Sequence, residues 1–404
     1  MTQGAPACPV PGMSTASRRV SGLTAGQGDG WGVYHRCRAL RAAGVQIADL
    51  TIGEPDLRTD PSILDAMHAA ARAGHTGYSA LAGMDELRQA IADRVSARTG
   101  VPTGSDAVLV TTGGQAALFA ALMGCIDPGD EVLFPDPHYV TYPGTVRAAG
   151  GLPVPVPTNP QDGFRPRRAD LCAMAGPAAR ALLVNSPNNP TGAVYDTATL
   201  HGVADVARDR DLWLVSDEVY ETQVWDGHHL SPRALPGMVE RTLVVGSLSK
   251  SHAMTGSRLG WLVGPPEMID RLVVLVTQTT YGVPGFVQMA GLHALRLGRK
   301  FEERIAAPFR RRRAACLDLV ASQRTVTARP SQGAMYLMLD ISRTGLSGRA
   351  FADALLDGRR IAVMPGESFG AAAAGHVRVA LTLPDERLLD ALSRLLDFAK
   401  EISP

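Results

Sequence analysis

Between Ala107 and Ser249 the chain returns five times to one pattern, a short apolar run that stops abruptly on glycine or a polar residue: AVLVTTGG, DEVLFPDP, ARALLVNSP, DLWLVSDE and RTLVVGSLS. Runs this brief, apolar on successive rather than alternate residues, read as strands buried on both faces. Amphipathic stretches separate them. That alternation specifies an α/β fold around a mostly parallel central sheet. In such sheets ligands collect at the carboxyl ends of the strands, so the residues that close each run are the ones to read for chemistry.

Four closures stand out. Gly113 and Gly114 let the backbone turn so that the amides opening the next helix converge, a geometry that holds phosphate; a plain turn explains the pair equally well. In SDEVYE, an aspartate at the inner end of a buried strand needs a cation or a protonated ring nitrogen, unless Asp217 merely caps a helix. NSPNNPTG, residues 185–192, brackets adjacent asparagines with prolines and presents their amides as neutral donors, or simply turns the chain. GSLSKSHAMTGSRLGW, residues 246–261, sets Lys250 among small residues with Arg258 eight positions on.

A partly desolvated amine near a cation has a depressed pKa and condenses readily with an aldehyde. An aldehyde for Lys250, a phosphate for the glycine turn and Arg258, and a ring nitrogen for Asp217 are the parts of one cofactor, pyridoxal 5'-phosphate. The sequence has no GxxxxGK[ST], and no GxGxxG between a strand and a helix, which disfavours nucleotide folds.

The remaining features set bounds. A chain of 404 residues, 45% hydrophobic and 20% charged, is long enough for two domains. Its net charge of +1 gives no footprint for nucleic acid or an anionic membrane. No apolar run reaches the length of a membrane span. The five cysteines (Cys8, Cys37, Cys125, Cys172, Cys316) form no CxxC, so they read as reduced thiols, with no metal site and a cytoplasmic location. The Gly/Pro/Ser-rich opening of about 30 residues reads as a partly mobile arm and lacks the apolar core of a signal peptide. Past residue 290 or so the pattern turns to helices interleaved with GAMYLMLDI and HVRVAL. The expected division is an N-terminal arm (1–50) joined to a smaller C-terminal α/β domain (291–404), around a large cofactor-binding domain (51–290).

From LTIGEPD through NNPTG, SDEVY and SLSKSHAMTGSRLGW to HVRVAL, the chain resembles a fold-type I, class I/II pyridoxal phosphate-dependent aminotransferase. SLSKSHAMTG and YGVPGFVQ are most similar to arginine:pyruvate aminotransferases, and the chain also resembles aminotransferases of antibiotic pathways that make guanidino amino acids such as enduracididine. The resemblance implies that Lys250 holds the cofactor as an internal aldimine and that Asp217 pairs with the pyridinium nitrogen. It implies that Asn189 and Tyr220 bond the phenolic oxygen and that Tyr139 stacks on the ring. Gly113, Gly114, Gln115, Ser247, Ser249 and Arg258 would surround the phosphate, with Tyr78 arriving from the other subunit of a homodimer. Arg378 would grip the substrate carboxylate, with Gly53 alongside.

The implied reaction exchanges an amino group between an L-amino acid and a 2-oxo acid by ping-pong kinetics. Lys250 would carry the proton between the α-carbon and the cofactor. Rival readings are a β-lyase, decarboxylase or arginine oxidase on the same scaffold, an aspartate-, alanine- or glutamate-type aminotransferase, and a non-catalytic regulator. The last needs a DNA-binding segment that the opening is too short and polar to supply. Asp29, Glu54 and Glu367 are the acidic candidates for a guanidinium partner. Ser257 stands where many relatives carry tryptophan before the phosphate-binding arginine. Arg310 to Arg313 read as a solvated helix face, His252 as structural, and His228-His229 as a polar turn.

Overall fold

The computed structural model describes residues 16–24 and 30–403, so the expectation for Asp29 and most of the opening arm lie outside the described residues. The chain runs through a helix, Gly32–Ala42, and a two-residue strand, β1 (Ala48–Asp49). It then lays down the strands of the central sheet: β2 (Val108–Thr111), β3 (Glu131–Asp136), β4 (Leu152–Pro157), β5 (Ala179–Asn185), β6 (Trp213–Asp217), β7 (Thr242–Ser247) and β8 (Gly260–Val263). Their spatial order is β2-β8-β7-β6-β5-β3-β4. Only β8 runs against the rest, antiparallel to both β2 and β7. All five apolar runs become strands here.

Register brings the strand ends together. Asn185 lies beside Asp217 across β5 and β6, and Asp217 beside Val245 across β6 and β7. The β2 end turns through Gly113, whose φ of 88° is a conformation only glycine adopts freely, into the helix Gly114–Cys125. β-branched and leucine side chains of β2, β5, β6 and β7 then bury against that helix, with Ala117, Ala121 and Leu122 as its contribution.

Four short strands form a second sheet: β9 (Thr327–Ala328), β10 (Tyr336–Asp340), β12 (Met364–Pro365) and β13 (His376–Ala380), in the order β12-β13-β10-β9. A further strand, β11 (Ile361–Ala362), pairs parallel with β1. Val33, Cys37, Ile47 and Leu50 from the N-terminal segment share one apolar core with the helices Gly348–Arg359 and Asp385–Ile402.

The expected boundary at 290/291 falls inside the helix Gly285–Arg296, whose Ala290, Leu292 and Ala294 pack with the core around β2 and β8. Core membership changes later, along the helix Gly298–Ala321: Phe301 and Ile305 belong to that core, Phe309 and Cys316 to the C-terminal one.

The same helix corrects the reading of its arginines. Arg312 is 5% exposed and grips both oxygens of Asp56 (2.7 and 2.8 Å) while its Nε reaches Asp385 at 2.8 Å. Arg313 pairs with Asp226, and Arg310 lies over the Trp225 ring. Arg310 and Arg311 keep an outer face, with side chains 47% and 62% exposed, so the solvated reading holds for these two and fails for Arg312 and Arg313, which face the junction of the two cores.

Candidate active site

The carboxyl ends of the central strands and the second sheet enclose a cavity of about 280 Å³. Lys250 stands on its floor, on the single-turn helix Leu248–Ser251 that follows β7. Ser247 caps that turn by accepting from the Ser249 amide (3.1 Å), and the two hydroxyls lie 2.9 Å apart. The Lys250 amine donates to the Gly53 carbonyl. Burial brings its pKa down to about 8; Arg378 and Arg258 push the same way, while Glu54 and Asp217 oppose them. The depressed amine expected from the sequence is present, with desolvation ahead of the neighbouring cation as its cause.

Asp217 closes β6 and is 8% exposed. Tyr142 donates to its Oδ2 at 2.7 Å. Burial, seconded by Glu218, raises its pKa to about 6 against the pull of Tyr142 and Lys250. It does not cap a helix. The carboxylate is buried with too little positive charge around it, which suits a partner that brings a cation.

Asn185 and Asn189 form the next layer. Asn185 donates to the Asp217 carbonyl (2.9 Å) and accepts from the Asn189 amide (2.8 Å). Asn189 Oδ1 accepts from Arg378 at 2.9 Å. Asn188 turns inward, its oxygen taken by the Thr191 hydroxyl and amide, so only one of the two adjacent asparagines faces the cavity.

Arg378 comes from β13 and is 1% exposed. Its guanidinium carbon sits 4.4 Å from the Tyr336 ring centroid and 4.6 Å from that of Phe369, and it also donates to the Thr51 carbonyl. Tyr220 and Tyr336 share a hydroxyl-hydroxyl hydrogen bond of 2.7 Å. Tyr139 lines the same cavity, its phenol pushed up to about 12 by burial.

The glycine turn fits an anion. A side chain at Gly113 would meet the Arg258 guanidinium at 2.6 Å, and one at Gly260 would meet the Gly113 and Gly114 backbone at 2.7 Å. Arg258 itself sits at φ 51°, with Nη1 donating to the Thr255 carbonyl at 3.0 Å. First-turn amides such as those of Gly114 and Gln115 have no intrahelical acceptor. The Gln115 side chain turns aside to Thr145 (2.8 Å), leaving its backbone for the cavity. Nucleophilic amine, buried carboxylate, and an anion cradle with an arginine beside it match the aldehyde, ring nitrogen and phosphate of pyridoxal phosphate.

Tyr78 is 91% exposed and packs edge-on against Tyr281 (5.0 Å), outside its own chain's cavity. Glu367 accepts from the Gly348 amide with Oε1 (2.9 Å), leaves Oε2 buried without a hydrogen-bond partner, and does not line the cavity. Glu54 does line it, at the rim, with one oxygen accepting from Thr255 at 2.7 Å. Ser257 lies in the turn before Arg258, outside the cavity wall. His252 is fully buried and stacks on Phe301 at 5.3 Å. His229 is no polar turn: it pairs with Glu218 at 3.0 Å, and that contact, with Glu221 adding to it, outweighs burial and raises its pKa.

Tyr142, Asn185 and Tyr336 escaped the sequence reading. Asn185 lay within the quoted NSPNNPTG, and Tyr142 three residues beyond Tyr139. Tyr336 opens an apolar strand and gave no signal of its own.

Fold and site together define a pyridoxal phosphate enzyme of fold type I. Residues 45–395 match the family described as Aminotransferase class I and II. The arginine-pyruvate transaminase AruH of Pseudomonas aeruginosa is 40% identical over 378 residues, 93% of this chain and 96% of that one. The aspartate/prephenate aminotransferase of Thermus thermophilus is 40% identical over 359 residues, 88% and 91% of the two chains. The solved structure of Thermus thermophilus aspartate aminotransferase with maleate superposes with a TM-score of 0.89 at 37% identity, covering 96% of this chain and all of that one. The chain belongs to the class I and II aminotransferases. It is a transferase that depends on pyridoxal phosphate and uses amino acid and 2-oxo acid substrates. No helix among the described residues is long and apolar enough to cross a membrane.

Proposed function

We propose that the enzyme takes the amino group of L-arginine or another guanidino amino acid, enduracididine among them, and passes it to a 2-oxo acid. The observation that carries this reading is that the cavity lining holds charges of both signs. Arg378 lies buried within it and Glu54 stands at its rim. A substrate with an α-carboxylate at one end and a guanidinium at the other complements both. An acidic side chain would meet Glu54 as a like charge, which weighs against aspartate even though an aspartate/prephenate enzyme shares the same 40% identity, over a somewhat shorter match.

Pyridoxal phosphate, when bound, supplies the carbonyl for the amino group and the electron sink. In this chain Lys250 is the amine that holds the cofactor and, once released, takes the proton from the substrate α-carbon. An amine with a pKa near 8 is a competent base at neutral pH. Asp217 keeps the ring nitrogen charged, with Tyr142 fixing the carboxylate. Asn189 and Tyr220 bond the cofactor's phenolic oxygen, and Tyr139 covers the ring. Gly113, Gly114, Gln115, Ser247, Ser249 and Arg258 receive the phosphate. Arg378 exchanges its contacts to Asn189 and Thr51 for the substrate carboxylate, beside Gly53.

A homodimer completes the site, with the exposed Tyr78 directed to the partner's phosphate. The four described cysteines are unpaired, in keeping with the cytoplasm. The test is single-turnover spectroscopy of the loaded enzyme mixed separately with arginine, enduracididine, alanine, glutamate and aspartate. Rapid conversion of the bound cofactor's visible band to the pyridoxamine form with arginine or enduracididine is expected. A response confined to alanine, glutamate or aspartate would keep the aminotransferase and discard the guanidino substrate.

A further inference from the structure

Tyr336 touches more of the site than any single role assigned above requires. It sits in β10, 1% exposed, directly opposite Ala380 of β13. Arg378 is therefore its diagonal neighbour across the strands, within reach of a long side chain. The ring face packs on the Arg378 guanidinium at 4.4 Å. The hydroxyl bonds Tyr220 at 2.7 Å and fills the place that a side chain at Gly53 would take, 1.7 Å from that side chain's first carbon. Gly53 in turn accepts the Lys250 amine. One residue thus contacts the carboxylate clamp, the phenol-binding tyrosine and the backbone beneath the reactive amine.

Donor accounting fixes the direction of the tyrosine pair. Each phenol carries one proton. If Tyr220 spends its proton on the cofactor's phenolic oxygen, the proton between the two tyrosines must come from Tyr336. A hydroxyl that accepts a hydrogen bond donates a stronger one, since chains of such bonds polarise each other. We propose that Tyr336 is a positioning residue that acts through two neighbours: its hydroxyl strengthens the hydrogen bond Tyr220 gives the cofactor, and its ring holds the Arg378 fork in the plane that meets a carboxylate.

The two halves separate by substitution. Tyr336→Phe removes the hydroxyl and keeps the ring. In the loaded enzyme a weaker donor to the phenolic oxygen disfavours its anionic form, so the pH midpoint of the visible absorbance change should rise by a few tenths of a unit to about one unit, with kcat lower by roughly three- to tenfold. KM for the amino donor should stay within about twofold, because the ring over Arg378 is intact. Tyr336→Leu removes the ring as well, and should add a rise in KM of about tenfold. A double-mutant cycle supplies the decisive reading. In a Tyr220→Phe background, Tyr336→Phe should move the midpoint no further, since the relay is already cut. A midpoint in Tyr336→Phe equal to the parent's, or an equal shift in both backgrounds, would overturn the relay. Unchanged KM in a folded, cofactor-loaded Tyr336→Leu would overturn the role toward Arg378.

Discussion

The cavity has two walls of different construction. One is the row of strand ends from the central sheet, with Asn189 just beyond β5, Asp217 as the last residue of β6 and Lys250 on the single-turn helix after β7. The other is the face of the second sheet, where Arg378 projects from the middle of β13 and Tyr336 from the start of β10. On the first wall burial shifts the titrating groups toward neutrality, Lys250 down to about 8 and Asp217 up to about 6. On the second, Arg378 keeps its charge between two aromatic faces. The difference teaches a division of labour: strand ends supply groups that exchange protons, and the mid-strand face supplies a fixed charge that orients.

The largest expected effect lies on the first wall. Lys250→Ala should cut turnover by about 10⁴-fold or more, because both the attachment to the cofactor and the proton carrier are lost, and should abolish the visible band of the bound cofactor. A variant that kept the band and measurable turnover would move the chemistry away from the strand ends and dissolve the contrast.

Next in size is the stability cost of that wall in the cofactor-free protein. Asp217 has an ordinary pKa of 3.8 and a folded value of about 6, so the native state binds its proton more tightly than the unfolded chain. Stability from this group is complete below pH 4 and is lost as pH rises through 6, a total of about 3 kcal/mol. Asp217→Asn, which keeps an acceptor for Tyr142, should therefore be more stable than the parent apoprotein at pH 7 and converge with it near pH 4. Urea unfolding at both pH values reads this directly. Equal stabilities at pH 7 would mean that the carboxylate is already compensated and needs no ring cation.

The two walls also differed in how they read from sequence. Lys250, Asp217 and the Gly113-Gly114 pair interrupt apolar runs, and an interruption is visible without any structure. The five strands and the parallel sheet were legible for the same reason. Tyr336 and Arg378 occupy alternate positions of ordinary strands, where inward-facing residues look alike whether they fill a core or a site. Arg378 was found only through family resemblance, and Tyr336 was missed. Arg312 shows the converse: four successive arginines look solvated, yet the partners Asp56 and Asp385 lie far along the chain and no local pattern announces them.

Arg312 sits where the two cores meet and offers a way to test whether the walls are held by that junction. Arg312→Met retains the stem and strands Asp56, while Asp385 keeps Arg311 on both of its oxygens. Both aspartates are partly open to water, at 18% and 38%, so the loss should be about 2 kcal/mol rather than the larger cost of a sealed pair. Chemical denaturation of the holoenzyme measures it. Loss of activity with no loss of stability would instead make the pair a device for aligning the walls.

The smallest effect sharpens the comparison most. Arg378→Lys keeps a positive charge on the second wall but replaces a planar fork with a point charge, and the ammonium cannot stack between Tyr336 and Phe369 as a guanidinium does. If this wall orients rather than reacts, the loss should fall on binding: KM for the amino donor should rise about tenfold, close to one bidentate contact, while kcat falls by less. The visible spectrum and its pH midpoint should stay near the parent's, because Lys250 and Asp217 are untouched. Steady-state kinetics at saturating and limiting donor separate the two parameters. A fall in kcat that exceeded the rise in KM would show that the guanidinium contributes specifically to the transition state, and the line between a reacting wall and an orienting wall would have to be redrawn through Arg378.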